Sequence, residues 1–351
     1  SITDLVGDTS AISSHAWKDI TETADYHNNP GVFSAFSGWE WSSIPVGANL
    51  HRVVITPESA TLSQQYLPYG ADQSQYPEDL WSWLDSTSAK TGARFLAIPH
   101  NSNISKGYMF ADTTLKGNAM TAEYARNRLR WEPLAEITQI KGDSETHPDL
   151  SPEDPFADFE PFPFYLQVSP ATYVAAPGDY VRSALKTGLQ IESRIGVNPY
   201  RFGVIGSTDS HTGLASAEED NFWGKLAIDS IPENKSAAAL GAAAGVDIPE
   251  GGSGGWDMSA SGLAAVWATE NTREAIFEAM QRREVYGTTG PRLQLRFFAG
   301  WAFEHSDAAS ANLAAVGYDK GIPMGSQLPP APNADVTPSF LIQVAKDPVG
   351  A

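Results

Sequence analysis

The sequence turns from apolar to polar in the stretch Gly203-Val204-Ile205-Gly206-Ser207-Thr208-Asp209-Ser210-His211-Thr212-Gly213. The apolar half predicts a short strand, and the polar half follows where that strand ends. In an extended chain, side chains two positions apart point to the same side, so Asp209 and His211 aim at one spot. A carboxylate oxygen and an imidazole nitrogen that converge suit a divalent metal ion. The same residues also suit a local hydrogen-bonded turn, so this motif alone leaves both interpretations open.

The composition narrows the class of protein. With 351 residues and 42% hydrophobic residues, the chain can bury the core of one large domain or of two. Its formal net charge of -19 argues against sequence-independent nucleic-acid binding and against an anionic membrane surface as partner. The sequence has no cysteine and no apolar run long enough for membrane insertion. The compartment stays open, with the periplasm or the exterior favoured over the cytoplasm.

Short apolar strands and amphipathic helices alternate along most of the chain. This alternation predicts an α/β architecture with a parallel sheet or a barrel. We assign residues 1–291 to the barrel domain and residues 292–351 to a small β-rich extension. Residues 236–256, which are rich in alanine and glycine, are predicted to form a flexible insertion.

Three more ligand-type side chains, Glu40, His51 and His100, lie at or beside predicted strand ends. In α/β sheets and barrels, sites form where several strands each contribute one side chain at their carboxyl ends. Glu40 stands between two tryptophans, where a carboxylate is costly unless it is paired or metal-bound. Each residue also has a structural interpretation: a histidine can serve only as a hydrogen-bonding residue, and Glu40 can pair with Arg52. The coincidence of several strand ends favours a metal site.

Six segments carry a resemblance to a known superfamily. They are Gly38-Trp39-Glu40-Trp41, Asn49-Leu50-His51-Arg52, Ile98-Pro99-His100-Asn101-Ser102-Asn103, Gln139-Ile140-Lys141-Gly142-Asp143-Ser144-Glu145-Thr146-His147-Pro148, Gly206-Ser207-Thr208-Asp209-Ser210-His211, and Asn271-Thr272-Arg273-Glu274 through Thr288-Thr289-Gly290-Pro291-Arg292. Three of these segments, those with His51, His100 and Asp209, resemble the PHP (polymerase and histidinol phosphatase) metallohydrolases. With all six, the chain resembles more closely the bacterial family catalogued as domain of unknown function 3604.

The resemblance implies a distorted β/α barrel of seven strands, similar to a TIM barrel, with two or more divalent ions. Glu40 resembles the carboxylate that bridges two ions, and His51 and His100 resemble the histidines that complete one site. Asp209 resembles a ligand of the neighbouring ion, and His211 a ligand of a third position or a base beside it. The superfamily's opening His-x-His strand and its following Asp-His strand do not occur before Glu40. We therefore expect a chain truncated at its N-terminus, in which the first strands of the barrel are missing.

For function, the resemblance implies a metal-dependent hydrolase, a phosphoesterase that uses a metal-activated water on a small anionic ester. Manganese, zinc and iron all suit histidine and carboxylate ligands. Asp209 and His211 are the expected catalytic residues, and Arg52 and Lys141 the expected grip on the anionic group. Carboxyl esters, carbamates and sulfate esters remain alternative substrates, and the oligomeric state stays open.

A rival interpretation is a non-catalytic carbohydrate-binding module with a structural metal. Its sugar-binding face would be formed by five tryptophans, for which core packing is the simpler expectation: Trp17, Trp39, Trp41, Trp81 and Trp83. A calcium-stabilised structural protein would use oxygen ligands only, and the histidines argue against it.

The segment from Lys141 to His147 alternates charged and small residues, so one of its faces can reach the site. Two interpretations stay open. The segment is either a salt-bridged surface loop or a set of substrate contacts in which Glu145 or His147 adds a metal ligand.

Overall fold

The computed structural model describes residues 10–166, 171–213, 218–221, 223–231, 233–234, 248, 252–259 and 262–349. Most of the predicted insertion at 236–256 lies outside these residues. The helices, in chain order, are α1 (Ser10–His27), α2 (Ala60–Ser63), α3 (Pro77–Thr91), α4 (Ala122–Trp131), α5 (Val181–Ile195), α6 (Arg273–Gln281) and α7 (Leu313–Lys320). Within the described residues, none of the helices has the length and apolar character needed to cross a membrane.

The strands are short and lie in several small sheets. In chain order they are β1 (Ser37–Trp41), β2 (Arg52–Thr56), β3 (Leu96–Pro99), β4 (Leu134–Gln139), β5 (Gly142–Asp143), β6 (Gly203–Gly206), β7 (Leu263–Val266), β8 (Val285–Thr288), β9 (Gln294–Gly300), β10 (Gly321–Pro323) and β11 (Ser339–Ala345). β4 and β6 pair in parallel, whereas β1, β2 and β3 pair antiparallel in that order. The closure of these strands into a barrel stays a prediction, as does the domain boundary after residue 291.

The antiparallel register brings three chain segments to one edge of the first sheet. Trp41 at the end of β1 lies opposite Arg52 at the start of β2, and Arg52 lies opposite Pro99 at the end of β3. Because β2 runs against its neighbours, its first residue lies where theirs end. His51 immediately before β2 and His100 immediately after β3 therefore meet beside Glu40.

The second sheet approaches the same edge. The backbone N–H of Asn101 donates a hydrogen bond to Glu136 on β4, with an N···O distance of 3.1 Å. β6, which the Asp209 motif follows, lies parallel to β4 on the far side from β5. At Gly206 a side chain would meet the carbonyl oxygens of Thr288 and Leu263 at 2.7 and 2.8 Å, so only glycine allows this approach of β6 to its neighbours.

The C-terminal region has its own sheet and helix. β9 lies between β10 and β11, both antiparallel to it, within the region predicted to be a β-rich extension. Phe298, Leu313 and Leu341 form a small apolar cluster between this sheet and α7. Thr272 caps α6, because its hydroxyl accepts a hydrogen bond from the N–H of Ala275.

The tryptophans are part of the main core. Trp17, Trp41 and Trp81 are almost fully buried, and Trp39 and Trp83 pack against the same cluster. Trp39 contacts both Trp17 and Trp83 edge to face, each with ring centroids 5.7 Å apart. Rings packed in this way stabilise the fold and do not offer an open face to a sugar.

A buried ion-pair network fixes the start of β2. Arg52 Nε lies 2.9 Å from Glu132 Oε1, and Trp81 Nε1 donates to the same oxygen at 2.9 Å. Arg128 Nε lies 3.1 Å from the other carboxylate oxygen. Burial favours a raised pKa for Glu132, but the charges of Arg52 and Arg128 outweigh it and lower the pKa. Arg52 therefore pairs with Glu132 and not with Glu40.

We expect Glu132→Gln to lower the free energy of unfolding by about 3–5 kcal/mol, because it leaves two buried guanidinium groups without a carboxylate. Urea unfolding followed by circular dichroism measures this. The matched control is Asp85→Asn, which removes a carboxylate paired with Arg130 on the surface and should cost about 1 kcal/mol or less. Equal losses in the two variants would contradict a structural role for the buried network.

Asp179 holds the segment that follows His100. Its carboxylate accepts hydrogen bonds from Ser105 Oγ at 2.8 Å, from the N–H of Gly107 at 2.6 Å and from the N–H of Ala176 at 3.0 Å. Burial raises the pKa of Asp179 to about 6, against an ordinary value of 3.8, although these hydrogen bonds act in the opposite direction. The folded chain therefore binds this proton more tightly than the unfolded chain does.

A raised pKa in the folded state gives stability that is present below the ordinary pKa and is lost as the pH rises through the folded pKa. For Asp179 the window runs from about pH 4 to about pH 6, with a loss of about 2–3 kcal/mol. We expect Asp179→Asn to abolish this part of the pH dependence, measured by urea unfolding across the window. If wild type and variant lose stability in parallel, Asp179 is not the titrating group.

Candidate metal centre

Glu40, His51 and His100 come together at the edge of the first sheet. Glu40 Oε1 lies 2.6 Å from His51 Nδ1 and 3.0 Å from His100 Nε2. One donor atom from each residue lies within 4.8 Å of the other two, and this is the only such group of three or more among the described residues. His100 is almost fully buried, and the other two are partly buried. The three residues that the sequence places at separate strand ends thus share one site.

The protonation states of the group follow from its burial. Burial favours a raised pKa for Glu40, but the hydrogen bonds from His100 and His51 outweigh it, so the pKa is lowered and the carboxylate is ionised. Burial lowers the pKa of His51 despite the carboxylate beside it. For His100 burial also acts to lower the pKa, but Glu40 and the nearby charges of Glu136 and Asp209 outweigh it and raise the pKa. The ionised Glu40 carboxylate is therefore the group that attracts positive charge to this cluster.

The donor set fits a divalent cation. It combines a carboxylate oxygen with two imidazole nitrogens and contains no thiolate, which suits zinc, manganese or iron. In addition, His51 Nε2 and His100 Nδ1 are buried and have no hydrogen-bond partner among the described residues. A buried histidine nitrogen without a partner is costly in a purely structural cluster. This favours a site in which the rings can change their partners when a ligand binds.

A second group of charges surrounds Asp209, next to the first. The ammonium groups of Lys141 and Lys225 both bind Asp209 Oδ2, the latter with an N···O distance of 2.7 Å. Lys225 also donates to the Asp209 carbonyl oxygen at 3.1 Å and lies 3.2 Å from His211 Nε2. His211 Nε2 is 3.4 Å from Asp209 Oδ1, so the predicted convergence of these two side chains on one spot is observed.

Burial shapes the ionisation of this second group as well. It lowers the pKa of Lys141 to about 8, against the opposing effect of the Asp209 charge. For Asp209 burial acts to raise the pKa, but Lys141, His211 and Lys225 outweigh it, so the pKa is lowered. Asp209 also has a left-handed backbone, with φ of 48°. Aspartate tolerates this region better than most residues, but the conformation remains uncommon.

Sequence reasoning missed Glu136 and Lys225. Glu136 is buried on β4 and accepts hydrogen bonds from the N–H of Asn101 and from the hydroxyl of Ser207. Its signal was available, because it is a carboxylate inside an apolar strand, as Glu40 is. Lys225 gave no comparable signal, since it lies in an irregular segment whose approach to Asp209 depends on the tertiary fold.

The structure places other predicted site residues outside both groups. Glu145 pairs with Arg182 at the surface at 2.5 Å, and Arg182 also binds Asp154. His147 packs against the rings of Tyr173 and Tyr180. This agrees with the salt-bridged loop interpretation for Glu145 and gives neither residue a place among the metal-type donors.

Arg52 requires a correction to its expected role. Only 1% of its surface is exposed, and its guanidinium group binds Glu132 and the carbonyl oxygen of Leu50. Because its guanidinium group is committed to these two partners and, in the described part of the chain, makes no contact with Asp209 or Glu40, the expected grip on a substrate is not supported. Lys141 keeps its predicted place in the site, because it lies beside Asp209 and its charge also acts on His51.

Comparison with known families agrees with the resemblance at its coarser level. The sequence profile of a family described as "protein of unknown function (DUF3604)" matches residues 2–351, so the chain belongs to this family. No curated protein and no solved structure matches the chain. The family description names no activity, and the function is therefore argued from the geometry of the site.

We expect Asp209→Asn to lower the free energy of unfolding by about 3 kcal/mol, because it leaves the buried Lys141 ammonium without a carboxylate. Adding Lys141→Met to the same chain should restore part of the loss, which a double-mutant cycle measures. The control is Glu145→Gln, whose surface pair should contribute about 1 kcal/mol or less. Strictly additive effects of the two substitutions would show that Asp209 and Lys141 do not interact.

Proposed function

We propose that this chain is a divalent-metal-dependent hydrolase of the PHP type that acts on a small anionic ester, with a phosphoester as the first choice. The observation that carries the proposal is the convergence of Glu40, His51 and His100, with one donor atom from each within 4.8 Å of the others. These donors come from three separate chain segments, and the two histidines each keep a buried nitrogen without a partner among the described residues.

A bound divalent ion would supply an activated water as nucleophile and would offset negative charge on the substrate. Glu40, His51 and His100 are the residues that would hold the ion. Their attachment to neighbouring strands at one edge of the first sheet fixes their positions before substrate arrives, which lowers the cost of organising the site. The distorted β/α barrel is part of the same proposal and rests on the superfamily resemblance.

The residues around Asp209 supply the remaining groups. Lys141 is held on Asp209 with its charge close to His51, so it is placed to bind an anionic oxygen of the substrate. His211 is held through its Nε2 by Asp209 and Lys225, and because its side chain is 43% exposed it is the imidazole that could pass a proton from Nδ1 to the leaving oxygen. Asp209 acts here by holding the two lysines and His211 in place.

Carboxyl-ester, carbamate and sulfate-ester hydrolysis would use the same site, and the preference for phosphate rests on the resemblance. The carbohydrate-binding alternative has less support, because the tryptophans on which it depended pack in the core. A calcium-stabilised structural protein is also less well supported, because two of the three convergent donors are imidazoles.

The test is turnover by protein that has been dialysed and then loaded with Mn²⁺ or Zn²⁺. The substrates are p-nitrophenyl phosphate, bis-p-nitrophenyl phosphate, p-nitrophenyl sulfate and p-nitrophenyl acetate. We expect activity on a phosphoester, and we expect Glu40→Ala and His100→Ala each to lower kcat/KM by about 1,000-fold, because each removes a donor from the ion.

His27→Ala and Glu153→Ala are the matched controls, since they remove an exposed imidazole and an exposed carboxylate away from the site. Both should keep the wild-type rate. Metal-loaded protein that turns over none of the substrates would count against hydrolysis. Activity that survives both ligand substitutions would show that it does not come from this site.

A further inference from the structure

The carboxylate of Asp209 already has two cations in contact with it. Lys141 and Lys225 both bind the same oxygen, Oδ2, and both ammonium groups are largely enclosed by protein. The other oxygen, Oδ1, faces His211 Nε2 at 3.4 Å. The side chain that the resemblance assigns to a neighbouring ion is thus committed to two lysines and a histidine.

A divalent ion bound to Asp209 would have to share this space with the lysines. A carboxylate oxygen binds such an ion at about 2.0–2.2 Å, which would place the ion close to both ammonium groups. Like charges at that distance in a buried site repel strongly. The donor count is also too small, because the only group of three or more convergent carboxylates and imidazoles in the described part of the chain is the one at Glu40.

We propose that Lys141 and Lys225 take the place of a second metal ion at Asp209, so that this chain binds one divalent ion, at Glu40, His51 and His100. The inference rests on the proposed function, in which that group holds an ion. It differs from the expectation of two or more ions that the superfamily resemblance gives.

The two lysines lie where their positive charges can stabilise negative charge on a substrate, as a second metal ion would. Lys141 binds Asp209 Oδ2, and it is close enough to the metal-type donors for its charge to act on His51. Within the described residues its ammonium group contacts Asp209, which uses one of its three N–H donors and leaves others for an anionic substrate. Lys225 makes three contacts, to Oδ2 and the carbonyl oxygen of Asp209 and to His211, and so serves to position that group.

The experiment counts ions in the protein as it exists. The chain is saturated with Mn²⁺ alone, freed of excess by dialysis, and analysed by inductively coupled plasma mass spectrometry and by electron paramagnetic resonance. We expect one Mn²⁺ per chain with the spectrum of an isolated ion, and none in His100→Ala. Two ions per chain, or the spectrum of an exchange-coupled pair, would overturn the inference and leave the proposed metal centre intact.

A chain that binds no Mn²⁺ or Zn²⁺ would overturn the proposed metal centre itself, and the inference with it. The two failures are therefore distinguishable. Because Asp209→Asn can destabilise the fold, the count in the wild-type chain is the deciding measurement, and the variants below extend it.

The variants separate ligation from charge compensation. In folded Asp209→Asn, checked by circular dichroism, we expect the count to stay at one ion per chain, whereas a loss of Mn²⁺ would show that Asp209 ligates it and would contradict the inference. We expect Lys141→Met to keep one Mn²⁺ per chain. We also expect it to raise KM for p-nitrophenyl phosphate by at least as large a factor as it lowers kcat. Arg182→Met, which removes a surface cation, is the control and should change neither quantity.

Discussion

Negative charge buried at one sheet edge is the constraint on which the rest of this structure depends. Three carboxylates lie there, and each is matched by a different kind of partner. Glu40 is matched by imidazoles, Asp209 by ammonium groups, and Glu136 by a backbone N–H and a hydroxyl. An unmatched buried charge is too costly to keep, so each contact fixes segments that are far apart in sequence. A change in the loops between the strands is compatible with this arrangement only if it preserves these contacts.

Local signals determined much of the secondary structure. Pro77 and Gly92 bound α3, and Thr121 caps α4, as their residue types predict. Strand direction was not readable in this way, because an apolar run looks the same whichever way its neighbour runs. The antiparallel pairing of β2 with both neighbours therefore emerged only in three dimensions, and it is this pairing that brings His51 to the site.

The site was predictable to the extent that its residues lay at strand ends. Glu40, His51 and His100 were found because ligand-type groups followed or interrupted apolar runs. The partner of Arg52 was not predictable, since Glu132 is 80 residues away in sequence. Lys225 likewise lies in no recognisable sequence pattern, and its role follows only from its contact with Asp209 in the fold. Sequence thus indicated which groups could bind a cation, while the balance of charges among them required the fold.

The left-handed backbone of Asp209 has a consequence for protein engineering and for natural variation. Glycine would relieve this conformation, so a selection that rewards thermal resistance alone would favour glycine there if the lysines were also neutralised. Such a chain would be more stable but would lack the charged group at position 209, because an unstrained turn would replace it. A homologue that keeps aspartate here keeps the charged group at the expense of some stability. The residue at position 209 can therefore be used to separate homologues that retain this group from those that retain only the fold.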